Sequence, residues 1–260
     1  MHKEGLKKDL RKVCVIPARL NSSRLKHKVL QIIEGKALVE RVFVKAVESG
    51  FFDQVVVAID DEQIGAYLEK VGIEYFMTSP DCPSGTQRLI ELVEDKKIEG
   101  DFFVNWQADE PMLPQGLLID FFAKVEISDA DVVTVQRQIQ SKEHVDSPHV
   151  VKVVTDHGGK ALYFSRSPIP FYREEVDFAD KKIFEHVGLY GFFAHGIKKI
   201  AKMQDNSFLE SCEKLEQLRF LEYGLSIDVA TTQFASIGID TPQDLERVRK
   251  YFKKESQLFL

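Results

Sequence analysis

The chain alternates short runs rich in β-branched and aromatic residues with longer stretches of helical periodicity, and this alternation limits its fold more than any other feature. Each candidate strand ends in a polar or Gly/Pro-containing loop, as in a parallel sheet covered by helices. We therefore predict an α/β fold with a mostly parallel sheet. In the first half, strands are expected at 13–17, 54–59, 74–77, 102–107 and 132–135, and helices at 38–49, 61–71, 86–96 and 115–125.

The second half continues this pattern without a Pro/Gly/Ser-rich linker, an internal repeat or a low-complexity tract. A single domain spanning residues 1–260, with an inserted subregion, is therefore expected rather than two domains in series. The predicted elements are strands at 151–155, 161–165, 186–193 and 226–229, a strong helix near 209–223, and a closing helix.

Composition excludes several classes of protein. With 35 Lys+Arg against 41 Asp+Glu, the net charge of −6 and the lack of a long basic run predict neither nucleic-acid binding nor membrane binding. Cys14, Cys82 and Cys212 lack the spacing of a disulfide framework or a zinc site. The apolar run after the charged amino terminus is too short for a signal peptide or membrane span, so we expect a cytoplasmic protein.

The loop after the first predicted strand, VIPARLNSSRLKHK, places three cations within ten residues: Arg19, Arg24 and Lys28. In an open parallel sheet, ligands bind at the carboxyl ends of the strands. Arginine forks and a lysine point charge at this place suit a triphosphate, although a solvated basic loop would have the same composition. Neither a GxGxxG nor a GxxxxGK[ST] motif is present, which argues against a dinucleotide dehydrogenase and a P-loop phosphohydrolase.

The loop MTSPDCPSGTQRL precedes a helical pattern and contains Ser84, Gly85, Thr86 and Arg88. A glycine permits close approach of a flat base, the hydroxyls can bond its polar edge, and Arg88 can reach ribose or phosphate. Helix capping by Ser84 or Thr86 is the structural alternative. Cys82 is expected to be a packing residue.

Two aspartates are candidate metal ligands. Asp109 follows a predicted strand that Pro111 terminates, and carboxylates at a strand end suit Mg²⁺, which keeps waters and nucleotide phosphates as its other ligands. Asp240 lies in GIDTPQDLERV. The structural alternatives are a turn cap for Asp109 and, near Asp240, a helix start with Thr241 as N-cap and Pro242 at the first position.

The segment HVGLYGF places His186 and Tyr190 four residues apart on a predicted strand, so that both side chains project on one face. They can form a pocket wall or be ordinary core residues. Glu216 lies in the helical run EKLEQLRFLEYG, where most charges are expected to face solvent.

Together these segments resemble the 3-deoxy-manno-octulosonate cytidylyltransferase family over nearly the whole chain. Each motif alone is weak, but their joint order is specific. The matching blocks are IPAR, SSR with a following Lys, VAIDD, MTSPD with PSGT, VNWQADEP, VVKVV, ALYFSR with IPF, HVGLYGF, EKLEQLRFLEYG and GIDTPQDLERV.

The resemblance implies a homodimer of the Rossmann-like, nucleotide-diphospho-sugar transferase type, with a smaller inserted dimerisation subregion. It implies a Mg²⁺-dependent reaction of CTP with 3-deoxy-manno-octulosonate (Kdo) that releases pyrophosphate and serves lipopolysaccharide biosynthesis. By matching position, the triphosphate loop is Arg19, Arg24 and Lys28, with Lys28 also catalytic; the cytidine segment is Ser84, Gly85, Thr86 and Arg88; the magnesium ligands are Asp109 and Asp240; and the sugar-acid positions are Gln107, Arg166, His186, Tyr190, Glu216 and Gln217.

Three departures from the family pattern stand out. Lys26-His27-Lys28 replaces the usual Pro-Gly-Lys, Ala108 replaces the glycine before the metal aspartate, and 146–149 replaces Asn-Pro-Asn. Ala108 requires a negative φ or about 1 kcal/mol of strain. Two other functions fit the same motifs: a cytidylyltransferase for a related sugar acid such as an 8-amino-Kdo analogue, and a noncatalytic nucleotide-binding protein on the same fold.

Overall fold

A computed structural model describes residues 9–22, 25–174, 177–204 and 206–258. The chain divides into two compact units. Among the described residues, the first contains 10–113 and 236–258, and the second contains 114–235 together with Asp9. The second unit is therefore an insertion in the chain of the first, not a domain that follows it.

Strands and helices alternate along the chain as predicted. The strands are β1 (Lys12–Ala18), β2 (Ile32–Ile33), β3 (Lys36–Ala37), β4 (Gln54–Ile59), β5 (Tyr75–Met77), β6 (Phe102–Asn105), β7 (Val132–Gln138), β8 (Lys152–Thr155), β9 (Ala161–Ser165), β10 (Phe184–Phe193) and β11 (Ile227–Thr232). The helices are α1 (Leu38–Glu48), α2 (Glu62–Val71), α3 (Gly85–Glu94), α4 (Gln115–Ile127), α5 (Lys142–Asp146), α6 (Ala194–Ile200), α7 (Phe208–Glu213), α8 (Glu216–Glu222) and α9 (Pro242–Leu258).

The first unit is built on a parallel sheet. Strand β1 pairs in parallel with β4 on one side and with β6 on the other, and β4 pairs in parallel with β5. The side chains of Val13, Val15 and Ile16 in β1 are fully buried, as expected for a strand covered on both faces. Because the strands are parallel, the loops after β1, β4, β5 and β6 leave the same edge of the sheet.

The second unit has a mixed sheet. Strand β7 pairs in parallel with β11 and antiparallel with β10, while β8 pairs antiparallel with both β10 and β9. Helix α4 packs on β11 and β7, and its buried side chains include Leu117, Leu118, Phe121 and Phe122. The predicted class, α/β with a mostly parallel sheet flanked by helices, is confirmed.

Several element boundaries differ from the sequence expectation. The strand predicted for 102–107 ends at Asn105. The helix predicted near 209–223 is two helices, α7 and α8, because Lys214 between them adopts a left-handed conformation with φ of 54°. The hairpin of β2 and β3 and the short helices α5 and α6 were not predicted, since each is too short for a clear hydrophobic period.

No helix in the described ranges combines the length and the apolar character that a bilayer crossing requires. All three cysteines are free: Cys14 and Cys82 are buried, and Cys212 is exposed. Burial, together with the neighbouring Glu91 carboxylate, raises the pKa of the Cys82 thiol to about 11, so this residue packs as a protonated thiol.

Candidate active site

Two carboxylates from distant parts of the chain meet at one ammonium group in the first unit. The Nζ atom of Lys28 lies 2.6 Å from Asp109 Oδ2 and 3.3 Å from Asp240 Oδ1. The Lys28 side chain is 12% exposed, whereas the side chains of Asp109 and Asp240 are 31% and 50% exposed. The cluster is therefore open to a ligand from the side of the two aspartates.

Local backbone contacts explain why the two aspartates converge. The amide of Ile239 donates to the carbonyl oxygen of Asp109 at 2.8 Å, which ties the turn after β6 to the segment before α9. Asp240 immediately precedes the helix start, where Thr241 and Asp244 exchange hydrogen bonds in a reciprocal cap. The helix-start interpretation of this motif is thus confirmed, and the same cap presents Asp240 to Lys28.

Glu110 adds a partly buried carboxyl group beside the pair. Its pKa is raised to about 7, first by burial and then by the negative charge of Asp109, with a smaller contribution from Asp240. Ser236 donates a hydrogen bond to its Oε2 atom at 3.1 Å, and Trp106 Nε1 donates to its carbonyl oxygen at 3.0 Å. These bonds fix the turn that carries Asp109.

The oxygen donors at this place fit a magnesium ion. Asp109 and Asp240 already share one cation, the Lys28 ammonium, so their carboxylates can approach a common positive charge. Within the part of the chain that the structure describes, no group of three or more His, Cys, Asp or Glu side chains could hold a metal. Two carboxylates suit Mg²⁺ in particular, because this ion commonly takes one or two from the protein and the rest from phosphates and water.

The basic loop after β1 is only partly described, because Arg24 lies outside the described residues. Arg19 follows the end of β1, and its Nη2 atom donates to the carbonyl oxygen of Cys82 in the loop after β5. His27, at the position where the family resemblance implies glycine, adopts φ of 48°. The loop thus keeps a left-handed residue there, at a cost of about 1 kcal/mol for a non-glycine side chain. Ala108, in contrast, has no positive φ and needs no such accommodation.

The segment before α3 is shaped by capping and close packing. The Ser84 hydroxyl accepts a hydrogen bond from the Gln87 amide at 3.1 Å, so Ser84 is the N-cap of α3. A Cβ atom on Gly85 would lie 2.8 Å from the Pro17 ring, so Gly85 permits close contact between α3 and β1. This contact accounts for the glycine without the base approach that the sequence suggested.

A short polar chain links this segment to the end of β6. Asn105 Nδ2 donates to the Thr86 hydroxyl at 3.3 Å, and Gln107 Nε2 donates to Asn105 Oδ1 at 3.2 Å. Thr86 and Asn105 are buried, while Gln107 is partly exposed. The predicted cytidine segment and Gln107 are therefore connected through Asn105.

Arg88 differs from the expectation that it reaches a ribose or phosphate. Its side chain is 0% exposed, and its guanidinium bonds Asp60 Oδ2 at 2.9 Å, the Thr78 hydroxyl at 2.6 Å and the Ser79 carbonyl at 3.1 Å. Asp60 Oδ1 also accepts from the Leu20 amide at 3.0 Å. The guanidinium of Arg88 thus binds residues that follow β4 and β5, and it stabilises these two loops from the protein interior.

In the second unit, the rings of His186 and Tyr190 lie 5.2 Å apart. In a regular strand, residues four apart share a face but are separated by roughly 13 Å. The contact arises because β10 is irregular between Val187 and Gly191, where three residues lie opposite the single residue Thr134 of β7. Burial and the Glu216 carboxylate raise the pKa of Tyr190, which places α8 beside this aromatic pair.

The hydrogen bonds of Thr134 indicate which ring nitrogen of His186 carries a proton. The Thr134 hydroxyl lies 2.8 Å from both His186 Nε2 and the Leu189 carbonyl oxygen. Since only the hydroxyl can donate to that carbonyl, Nε2 carries the proton and donates to Thr134, which leaves Nδ1 as an acceptor. Burial lowers the pKa of His186 to about 3.

We therefore expect the His186 ring to remain neutral from pH 5 to 8. Its Cε1–H signal in a ¹³C-histidine NMR spectrum, assigned by its loss in His186→Gln, should not shift over this range. The pKa of His186 is lower in the folded protein than its value near 6.5 in the unfolded chain. Its contribution to the free energy of unfolding is therefore complete above pH 6.5 and is lost as the pH falls toward 3. A titration midpoint near 6.5 in the folded protein would contradict the assignment.

The remaining sugar-acid positions also belong to the second unit. Arg166 follows β9, and its guanidinium is held by the carbonyl oxygens of Glu213, Pro148 and Lys214. Glu216 and Gln217 form the first turn of α8; Gln217 is buried, and Glu216 is partly exposed. The second unit thus contains every predicted sugar-acid residue except Gln107.

Sequence reasoning missed three residues that organise these groups. Asp60 lies within the VAIDD block, and its position at the end of a buried strand was an available signal. Asn105 was included in a predicted strand without a role, and Thr134 lies inside a β-branched run that reads only as a strand. For Thr134 no signal existed, because its role depends on the bulge in β10.

The sequence profile described as cytidylyltransferase matches residues 13–227. Two curated relatives are named 3-deoxy-manno-octulosonate cytidylyltransferase. The protein from Chlorobaculum tepidum is 42% identical over 93% of this chain and 97% of its own length. The protein from Vibrio parahaemolyticus is 42% identical over 93% of this chain and 98% of its own length.

Solved structures support the same relationship. A CMP:2-keto-3-deoxy-manno-octonic acid synthetase complexed with CTP superposes with a TM-score of 0.86 and 34% identity, covering 94% of this chain and 99% of that one. The inositol-1-phosphate CTP transferase from T. maritima superposes with a TM-score of 0.65 and 14% identity, covering 96% of this chain and 97% of that one. At this identity the similarity shows a shared fold alone.

Proposed function

Because the chain belongs to the cytidylyltransferase family, we propose that it transfers the cytidylyl group of CTP to Kdo, with release of pyrophosphate, in lipopolysaccharide biosynthesis. The observation that carries this proposal is the convergence of Asp109, Asp240 and Lys28 at the ligand-binding edge of a parallel sheet. The names of the relatives supply the two substrates.

Charge is the main obstacle to this reaction. CTP is a polyanion and Kdo carries a carboxylate, so both must be neutralised before the anomeric hydroxyl can approach the α-phosphorus. In the proposed reaction, a bond forms between that hydroxyl oxygen and the α-phosphorus, the bond from the α-phosphorus to the bridging oxygen breaks, and the hydroxyl proton is released. Arg19, Arg24 and Lys28 would bind the triphosphate and stabilise the leaving pyrophosphate.

We propose that Asp109 and Asp240 hold a magnesium ion during this reaction. When bound there, the ion would act as a Lewis acid that neutralises phosphate charge and lowers the pKa of the attacking hydroxyl. Support comes from the shared contact of both carboxylates with one ammonium and from their partial exposure. The Lys28 ammonium can then pair with phosphate oxygens, because its contacts with Asp109 and Asp240 are ion pairs that can exchange one anionic partner for another.

We propose that residues of the second unit bind the sugar acid. The planar guanidinium of Arg166 suits the sugar carboxylate, and the free Nδ1 of His186 can accept a hydrogen bond from a sugar hydroxyl. The low pKa of His186 makes it a poor general base near neutral pH, so positioning is its proposed role.

The test is pyrophosphate release from CTP and Kdo, with the product identified by its mass as CMP-Kdo. We expect release only when both substrates and Mg²⁺ are present, and its loss on addition of EDTA. An 8-amino-Kdo analogue assayed in parallel would reveal a different sugar preference. Absence of release with any sugar acid would contradict the proposal and leave only nucleotide binding, which a titration with CTP alone would measure.

We also propose that the enzyme acts as a homodimer in the cytoplasm. Its three free cysteines fit a reducing compartment, and the large apolar side chains of Leu162 and Phe171 in the second unit are 61% and 87% exposed, as expected for residues that contact a second copy. Light scattering during size-exclusion chromatography measures the assembly directly. A monomer at micromolar concentration would contradict the dimer.

A further inference from the structure

Lys152, at the start of β8, is an unusual buried lysine. Its side chain is 0% exposed, and its ammonium donates to the carbonyl oxygens of Ser147 at 2.9 Å, Val150 at 2.6 Å and Arg166. These three bonds use all three N–H groups of the ammonium. No carboxylate among the described residues lies within ion-pair distance of Nζ, so backbone oxygens alone replace the water that this charge has lost.

The three carbonyl groups come from two separate segments. Ser147 and Val150 belong to the loop between α5 and β8, whereas Arg166 follows β9. Strands β8 and β9 pair antiparallel with Lys152 opposite Ser165, which brings Nζ close to the backbone of Arg166. The ammonium therefore clamps the loop 147–150 to the end of β9.

Arg166 is held by the loop 147–150 and by residues at the end of α7. Its Nη1 atom donates to the Pro148 carbonyl at 2.9 Å, within the loop that Lys152 holds. Its Nε atom donates to the Glu213 carbonyl at 2.7 Å, and its amide donates to Glu213 Oε2 at 2.9 Å. The other oxygen of that carboxylate accepts from the Ser165 hydroxyl at 2.6 Å.

Hydrogen bonds to backbone carbonyls hold all three nitrogens of the Arg166 guanidinium. An arginine has five side-chain N–H groups, and backbone carbonyls take one each on Nε, Nη1 and Nη2. The two others lie on Nη1 and Nη2, the pair of nitrogens that binds a carboxylate through two parallel hydrogen bonds. A preorganised fork of this kind loses little freedom when a carboxylate binds.

We propose that Lys152, together with Glu213, is a positioning residue that holds Arg166 for the carboxylate of the sugar acid. This inference rests on the proposed function, because it takes the sugar acid as the ligand of Arg166. Lys152 itself touches only protein backbone and is not a catalytic residue.

The same network depends on the backbone of the loop 147–150. Its contacts with Lys152 and Arg166 are made by main-chain oxygens. Side chains at these positions can therefore change while the backbone contacts remain.

The experiment compares Lys152→Met with Lys160→Met in the full-length protein. Methionine keeps the length of the buried stem but removes the ammonium, and Lys160 is a lysine of the same hairpin whose side chain is 47% exposed. We expect Lys152→Met to raise the KM for Kdo about tenfold or more while the KM for CTP changes less than about twofold. Lys160→Met should leave both constants unchanged.

A purely structural role would lower activity without separating the two KM values. Equal changes in both constants, or an unchanged KM for Kdo in folded Lys152→Met, would overturn the proposal. If Lys152→Met does not fold, Glu213→Gln decides. It removes one of the two carboxylate oxygens that accept from the Ser165 hydroxyl and the Arg166 amide, and we expect the same separation of KM values. An unchanged KM for Kdo in Glu213→Gln would then overturn the proposal.

Hydrogen–deuterium exchange without substrates separates this inference from the proposed function. Peptides covering 145–152 should exchange faster in Lys152→Met than in the wild-type protein or in Lys160→Met. Failure of the wild-type protein to use Kdo would refute the function, whereas unchanged exchange in this loop would refute the clamp.

Discussion

Replacing Asp109 by asparagine is expected to lower kcat/KM for cytidylyl transfer on the order of 1000-fold or more. Asparagine has nearly the same shape as aspartate, but it removes the negative charge that a divalent cation requires. The amide oxygen can still accept a hydrogen bond from Lys28, whose Nζ lies 2.6 Å from Asp109 Oδ2. The loss should therefore fall on the reaction and not on the fold.

Thermal unfolding gives the control for this variant. The ion pair is partly exposed, so its removal should cost no more than about 1 kcal/mol, or a few degrees in Tm. Asp129→Asn is a matched substitution at a side chain that is 87% exposed, and it should leave the rate unchanged. A near-normal rate in folded Asp109→Asn would show that the metal assignment is wrong.

Replacing Lys28 by methionine should produce the second-largest loss, about 100- to 1000-fold in kcat/KM for CTP. The substitution keeps the apolar stem and removes the positive charge that meets both carboxylates. Asp109 and Asp240 would then face the triphosphate without a neighbouring lysine, which adds repulsion to the loss of attraction. Steady-state kinetics with CTP as the varied substrate measures this effect.

Two further variants define the role of the Lys28 charge. Lys26→Met removes an exposed lysine from the same loop and should change kcat/KM only about twofold, because an exposed charge in water is strongly screened. Lys28→Arg keeps the charge but replaces a compact ammonium with a planar fork, so we expect partial activity. Equal losses in Lys26→Met and Lys28→Met would indicate a general effect of charge instead of a specific contact.

Much of the first unit could be predicted because its strands and helices follow from hydrophobic patterns within short stretches of sequence. Buried β-branched strands separated by amphipathic helices predict a parallel sheet, and parallel strands bring their following loops to one edge. This reasoning placed Lys28 and Asp109 at the same edge, and the cap formed by Thr241 and Asp244 explains the position of Asp240. The resemblance to the family then predicted that the two aspartates act together.

Other features depend on tertiary contacts that no local pattern records. Regular alternation predicts that His186 and Tyr190 share a face, but the contact between their rings requires the irregular pairing of β10 with β7. The burial of Arg88 depends on Asp60, which follows a different strand. The clamp formed by Lys152 consists of bonds to backbone carbonyls, and side-chain patterns carry no information about these bonds.

The claim that one divalent cation is shared by Asp109 and Asp240 is tested most directly by crystallography with CTP and Mn²⁺ in place of Mg²⁺. Anomalous scattering locates the manganese without assumptions about its ligands. We predict a manganese site within about 2.3 Å of a carboxylate oxygen from each aspartate, with the Lys28 ammonium moved toward the phosphates. Manganese bound to the nucleotide with both carboxylates still paired to Lys28 would contradict the account.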